Sequence, residues 1–317
     1  RGDMDALPIL EANDIPYKSK NDGVMHACGH DVHTACVLGA ARILTSLKDQ
    51  FEGTVKLIFQ PGEEKNPGGA SLMIKDGALE NPAPDAIYGQ HVMPYIPTGK
   101  VGFREGQYMA SADEVYLTIK GKGGHAALPD KVVDPITIAA QIITALQQVI
   151  SRNADPKSPT VLSFGKIEGG HAQNIIPDEV KLAGTFRALD EEWRFKAHDR
   201  ITNIAKGIAQ GMGGDCDVNI DVGYPYLTNN PEATQIARSA AEAYLGAENI
   251  VDLDLWLGAE DFAFYSHIKP SCFYRLGTGN EAKGTTQGVH TNNFNIDEEA
   301  IELGIGLMAW IAINNLA

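Results

Sequence analysis

The sequence predicts an α/β protein, a mostly parallel sheet with helices on both faces, interrupted by an inserted ferredoxin-like α+β domain. Three observations predict it. Strand-like and helix-like segments alternate through the first hundred residues, the signature of a parallel sheet with crossover helices. The middle third reads β-α-β-β-α-β, the split pattern of a complete ferredoxin-like unit. Past residue 224 the strand and helix alternation resumes. A length of 317 residues suits about two domains. The predicted partition is therefore one larger domain in two segments, 1–108 and 224–317, with a small domain over 109–223.

Element by element, Val32, Ala35, Cys36, Leu38, Gly39, Ile43 and Leu44 recur at helical spacing after Asp31, which is a good N-cap candidate. "GTVKLIFQP" (53–61) reads as a buried β-branched strand bounded by Gly and Pro. "GGASLMIKDGALE" (68–80) reads as a short helix and "DAIYGQHV" (85–92) as the next strand. In the insert, "DEVYLTIKG" (113–121) alternates as a strand, and "DPITIAAQIITALQQVISR" (134–152) is a helix with Pro135 at its start. Two strands follow, 159–170 and 178–190, then a helix over 191–213 and a closing strand over 216–224. The last segment brings a helix from "NPEATQIARSAAEAYLG", a strand from "NIVDLDLWLG", and a final helix from about Asp297. The chain opens on "RGDMDALP" without a Met, which reads as the end of a strand whose beginning is missing.

Composition narrows the functional classes. With 41 acidic against 26 basic residues the formal charge is −15, a field that repels nucleic acid and anionic lipid. Small substrates and metal cations suit it. No run of about 18 apolar residues exists, so no membrane span is expected. The four cysteines, 28, 36, 216 and 272, are too scattered for a disulfide framework; they read as reduced thiols in a cytoplasmic protein.

Chemistry-bearing residues concentrate in a few places. In "VMHACGHDVH", Cys28 and His30 are one residue apart, so in an extended loop both side chains point one way. A thiolate and an imidazole suit zinc, while a structural thiol beside helix-capping residues explains the stretch as well. "QPGEE" puts Glu63 and Glu64 after a strand, where open α/β sheets place ligands. Adjacent side chains diverge, so one can ligate a metal while the other serves as general base, and a solvated acidic turn is the alternative. His91, in "YGQHVMP", sits where a predicted strand runs out. A parallel sheet gathers such ends on one edge, which would bring Cys28, His30, Glu63, Glu64 and His91 together. His290 reads by itself as a turn residue, and His125 as exposed after the Gly-rich turn of "GKGGHAALP". His26, His33, His171, His198 and His267 read as structural or surface residues. Glu260 and Asp261 are explained equally as supporting carboxylates or as a helix-start acid pair.

Taken in order, "RGDMDALP", "HACGHDVHTA", "QPGEE", "GQHVMP", "GKGGHAALP", "GGHAQNIIPDEV", "GTFRALD", "GAEDF" and "VHTNNF" resemble the N-acyl-amino-acid amidohydrolases. That family includes hippurate hydrolases, N-acetyl-diaminopimelate deacetylases and indole-acetyl-amino-acid hydrolases, within the dinuclear metallopeptidase superfamily. The resemblance covers essentially the whole chain. It implies metal ligands at Cys28, His30, Glu64, His91 and His290, with Glu63 as general base on a metal-bridging water. It implies that His125 helps hold the substrate carbonyl oxygen, often from a neighbouring subunit, and that Asn174 and Arg187 bind the substrate's polar end. The family's catalytic domain begins with further helix and strand before "RGDMDALP", and this chain has none of it.

The activity so implied is metal-dependent cleavage of N-acyl amino acids to a carboxylic acid and a free amino acid. The alternatives are a di- or tripeptidase or carboxypeptidase of the same superfamily, or a non-catalytic metal-binding homologue. The cofactors expected are two divalent ions, zinc, manganese, cobalt or nickel. The partners expected are a small-molecule substrate and further copies of the chain, in a homodimer or higher homo-oligomer formed through the inserted domain.

Overall fold

A computed structural model describes residues 1–316 and divides the chain into two compact units. The first comprises Arg1–Tyr108, Leu227–Leu255 and Glu260–Ala317; the second comprises Met109–Tyr226 and Trp256–Ala259.

The first unit has a mixed α/β fold. Its opening segment carries β1 (Gly2–Asp3), α1 (His30–Ser46), β2 (Phe59–Gln60), α2 (Gly69–Lys75), β3 (Ile87–Pro97), β4 (Val101–Phe103) and β5 (Gly106–Met109). Helix α1 starts one residue before Asp31. Its cap is Gly29 in the left-handed region, with no side-chain cap bond, and Asp31 lies in the first turn instead of capping it. The strand expected over 53–61 forms a ladder only at Phe59–Gln60, because its parallel partner there is the two-residue β1. Strand β3 runs on to Pro97, well past the expected end at Val92, because its pairing with a later strand continues to Gly279 across a register shift.

The second unit holds β6 (Asp113–Lys120), β7 (Gly124–His125), α3 (Pro135–Gln148), β8 (Val161–Glu168), β9 (Ile175–Ile176), β10 (Glu179–Arg187), α4 (Glu191–Gly211) and β11 (Asp215–Val222). Its four-stranded sheet has the order β11-β6-β10-β8 and is antiparallel throughout. Alternate residues of β6, Val115, Leu117 and Ile119, bury one face against Ile138, Ile142 and Leu146 of α3 and Ile201 of α4. Both helices start on side-chain caps: Asp134 accepts from Ile136 N, and Asp190 from Trp193 N. At the first position of β6, Asp113 accepts hydrogen bonds from Arg194 Nε at 2.8 Å, His198 Nε2 at 2.8 Å and Gly223 N at 3.1 Å, all buried.

The closing segment adds β12 (Leu227–Asn229), α5 (Pro231–Leu245), β13 (Ile250–Asp252), α6 (Ala263–Ser266), β14 (Ser271–Gly279) and α7 (Glu299–Leu316). The sheet order is β13-β4-β14-β3, parallel except for the β4–β14 pair. Strand β14 is buried at all nine positions, and its Cys272, Tyr274 and Leu276 pack with Ala233, Ala237 and Ala241 of α5 and Leu307 of α7. Val32 and Cys36 of α1 pack against Val92 of β3, Phe294 and Ile296. The cysteines are all free and buried. Among the described residues no helix is long and apolar enough to cross a membrane.

Candidate metal and catalytic site

The site lies in the first unit and is built from four stretches of chain: 3–5, 28–33, 60–64 and 91–92, closed by His290. Cys28 and His30 stand at the entrance to α1, separated by Gly29. This glycine is required twice over. Its φ is +76°, and a Cβ there would sit 2.5 Å from Val92 Cγ2. The expectation that this pair and His91 lie at strand ends needs correction. Cys28 and His30 begin a helix after an isolated bridge at Met25, and His91 sits within β3. They meet because α1 packs beside β3, not because strand ends converge.

The expected metal residues do gather. Cys28 Sγ is 3.4 Å from His91 Nε2 and 3.3 Å from His290 Nε2. His290 Nε2 is 3.1 Å from Glu64 Oε1, whose distance to His30 Nε2 is 3.9 Å. Candidate ligand atoms of Cys28, His30 and His91 lie within 4.8 Å of one another, as do those of Cys28, Glu64 and His290, and those of His30, Glu63 and Glu64. The His290 backbone N–H donates to Ala27 O at 2.7 Å, which ties its loop to the Cys28 stretch, and His290 itself adopts φ 64°. A non-glycine residue held there carries a conformational cost of about 1–3 kcal/mol, a feature common at ligand sites.

These groups fit cations. Nε2 of His30 is buried without a hydrogen-bond partner, its nearest carboxylate oxygens lying 3.8 and 3.9 Å away. Buried polar atoms left so are costly unless something else binds them. Burial disfavours a charged His30, yet Asp3 and then Asp5 outweigh it and raise its pKa to about 9. For Glu63, burial and then Glu260, Asp261 and Glu64 push the carboxyl well above its usual range. Burial raises the Cys28 thiol, and Glu64 and Glu63 add to the effect. The excess of negative neighbours is what a divalent ion would relieve.

Three supporting residues escaped the sequence reading of the site. Asp5 accepts from the backbone N–H of Glu63 and of Glu64, each at 3.0 Å, and lies 3.3 Å from His30 Nδ1. Asp3 is fully buried and accepts from Arg1 Nη1 at 2.6 Å and from His33 Nδ1 at 2.5 Å. The available signal was the i, i+2 spacing of Asp3 and Asp5, and the i, i+3 spacing of His30 and His33 on a helix. Glu260 and Asp261, left open between two readings, are buried against Arg1 Nη2 at 2.8 and 2.7 Å, and Asp261 also accepts from Gln60 and Ala70. Arg1 and Asp261 thereby tie β1, β2 and α2 together beneath the carboxylates.

The remaining expected residues belong to the second unit. His125 is exposed on β7, which pairs with β9, and Ala126 N–H donates to Asn174 O at 3.0 Å, so these two are neighbours. The Ala127 N–H donates to His125 Nδ1 at 3.1 Å, which leaves the ring proton on Nε2. Arg187 is not with them. It ends β10, eight residues or about 26 Å of strand from Glu179, and its Nε donates to Thr185 Oγ1.

A model of the peptidase family M20/M25/M40 matches residues 1–314. The chain belongs to that family. N-acetylcysteine deacetylase of Bacillus subtilis is 39% identical over 315 residues, covering 99% of this chain and 80% of that protein. Thermostable carboxypeptidase 2 of Saccharolobus solfataricus is 40% identical over 316 residues, covering 99% and 79%. Among solved structures, a dinuclear metal binding peptidase from the M20 family of Bacillus subtilis superposes with a TM-score of 0.83 at 36% identity, covering 99% of this chain and 80% of that one. The protein is a metal-dependent amidohydrolase.

Proposed function

We propose that this amidohydrolase cleaves N-acyl amino acids, using two divalent cations held by Cys28, His30, Glu64, His91 and His290. The observation that carries the reading is the meeting of these donors from separate stretches of chain around the buried, unpartnered Nε2 of His30. The similarity to a deacetylase of an acylated amino acid supports the substrate class. A thiolate among imidazoles favours zinc over manganese, cobalt or nickel. When bound, the cations supply Lewis acidity that polarises the amide carbonyl and lowers the pKa of a water.

Glu63 takes the proton from that water as it adds to the carbonyl carbon. It then returns the proton to the amine as the C–N bond breaks, so a carboxylic acid and a free amino acid leave. One carboxylate serves both proton transfers. His125, protonated on Nε2, donates to the carbonyl oxygen, with Asn174 beside it. Arg187 binds the substrate carboxylate. Because His125 lies in the two-stranded β7–β9 sheet and Arg187 at the far end of β10 in the separate four-stranded sheet, we assign the working form to a homodimer in which one copy supplies His125 to the other. The inserted domain, 109–223, is ferredoxin-like in this reading, set between 1–108 and 224–317. Its edge strand β8, with Ile167 exposed, suits pairing between copies. The free thiols support a reducing, cytoplasmic setting.

Glu63→Gln tests the core of the proposal. Bound metal should stay at the wild-type ratio while kcat on an N-acetyl amino acid falls about 10²–10⁴-fold. A variant that keeps substantial activity refutes the assignment. Turnover of N-acetyl, N-benzoyl and N-indoleacetyl amino acids, compared with a free dipeptide, separates acyl-amino-acid hydrolysis from peptidase activity.

A further inference from the structure

His33 has no part in the mechanism above, yet it sits against it. The ring is fully buried, 4.6 Å from the His91 ring and 5.5 Å from the His30 ring between centroids. Both its nitrogens are engaged. Nε2 lies 2.9 Å from the backbone N of Val92, and Nδ1 lies 2.5 Å from Asp3 Oδ1. A backbone N–H can only donate, so Nε2 is the acceptor and the ring's one proton is on Nδ1, directed at the carboxylate. Burial holds the ring neutral against the pull of Asp3.

Val92 is the residue after His91, and its two polar groups serve two histidines. Its N–H is held by His33, while its carbonyl lies 2.8 Å from His91 Nδ1. That carbonyl can only accept, so it fixes the His91 proton on Nδ1 and leaves Nε2 free beside Cys28 Sγ. Strand β3 is the outermost strand of its sheet. His33 therefore supplies, from helix α1, the acceptor that another strand would otherwise give the Val92 N–H.

We propose that His33 is a positioning residue for the metal centre: by anchoring the Val92 backbone it sets the tautomer and direction of His91. The inference rests on the reading of His91 and Cys28 as ligands. It assigns a specific task to a histidine that a purely structural account would treat as filling.

Three variants separate the two arms. In His33→Gln the side-chain oxygen reaches the Nε2 position and keeps the Val92 bond. In His33→Asn the amide reaches only the Nδ1 position and keeps Asp3. His33→Leu keeps neither. Each purified protein is loaded with Co²⁺, and three quantities are read: retention against a chelator, the thiolate-to-cobalt absorption band, and urea stability after metal removal. Losing a residue that orients a ligand costs about 10–100-fold in metal affinity. His33→Asn and His33→Leu should show that loss with an altered band, whereas His33→Gln stays within about threefold of the wild type. Equal affinity in all three variants, or equal losses in the Gln and Asn variants, overturns the proposal. Cys28→Ser serves as control. If the wild type shows no thiolate band that this change removes, the ligand reading itself has failed, and not merely the role of His33.

Discussion

Asp5→Asn probes how much of the site depends on a single supporting carboxylate. Its two oxygens separately receive the backbone N–H groups of Glu63 and Glu64, and its Oδ1 also faces His30 Nδ1. Burial opposes its charge, but His30 and the two backbone donors prevail and hold the carboxyl at about 2. An asparagine offers one oxygen and one NH₂, so one of the two backbone donors must face another donor. Leaving such a group unsatisfied costs about 1–3 kcal/mol, and the lower end applies because the Asp5 side chain is 20% exposed. Misorienting a metal-binding histidine and carboxylate together should weaken metal binding about 10–100-fold, or roughly 1.4–2.8 kcal/mol. Chelator competition with Zn²⁺ measures this directly, and kcat at saturating metal then reports whether Glu63 has also shifted. Wild-type affinity together with wild-type kcat would refute the claim that Asp5 organises the turn.

Two further outcomes follow from the same geometry. Gly29→Ala adds a methyl at a left-handed backbone position, where it meets Val92 Cγ2 at 2.5 Å. Urea unfolding of the metal-free protein should show a loss of about 1–3 kcal/mol, and an unchanged midpoint would contradict the strain argument. In the second unit, burial would raise the Asp113 carboxyl, but Arg194 and His198 bring it below its usual range. A depressed carboxyl contributes stability above its unfolded pKa of about 3.9, lost as pH falls through that value and below. Thermal unfolding should therefore decline more steeply between about pH 5 and 3 in the wild type than in Asp113→Asn, and parallel curves would rule this out.

The sequence made the second unit legible because its strands bury one face. The alternation of Val115, Leu117 and Ile119 in β6 is visible without coordinates. The centre of the first unit's four-stranded sheet was not. Residues Ser271–Gly279 are buried on both faces, so β14 shows no alternation, and it was missed together with β4 and β5. "NIVDLDLWLG" shortened to Ile250–Asp252, since β4, its parallel neighbour, has only three residues. The nine candidate site residues were named from motifs and order; Cys28, His30, Glu63, Glu64, His91 and His290 gather in the first unit, but the reason for that gathering was misjudged. Cys28 and His30 approach His91 through helix α1. Asp3, Asp5 and His33 were overlooked because each acts through hydrogen bonds to backbone or to other side chains, and their i, i+2 and i, i+3 spacings do not by themselves reveal those bonds.

The proposed chemistry requires cations where these side chains meet. Anomalous diffraction from crystals grown with zinc measures that directly. Two peaks within bonding distance of Cys28, His30, Glu64, His91 and His290, with Glu63 alongside but unbound, are the predicted result. Zinc absent from that cluster, or bound only elsewhere on the chain, would contradict it.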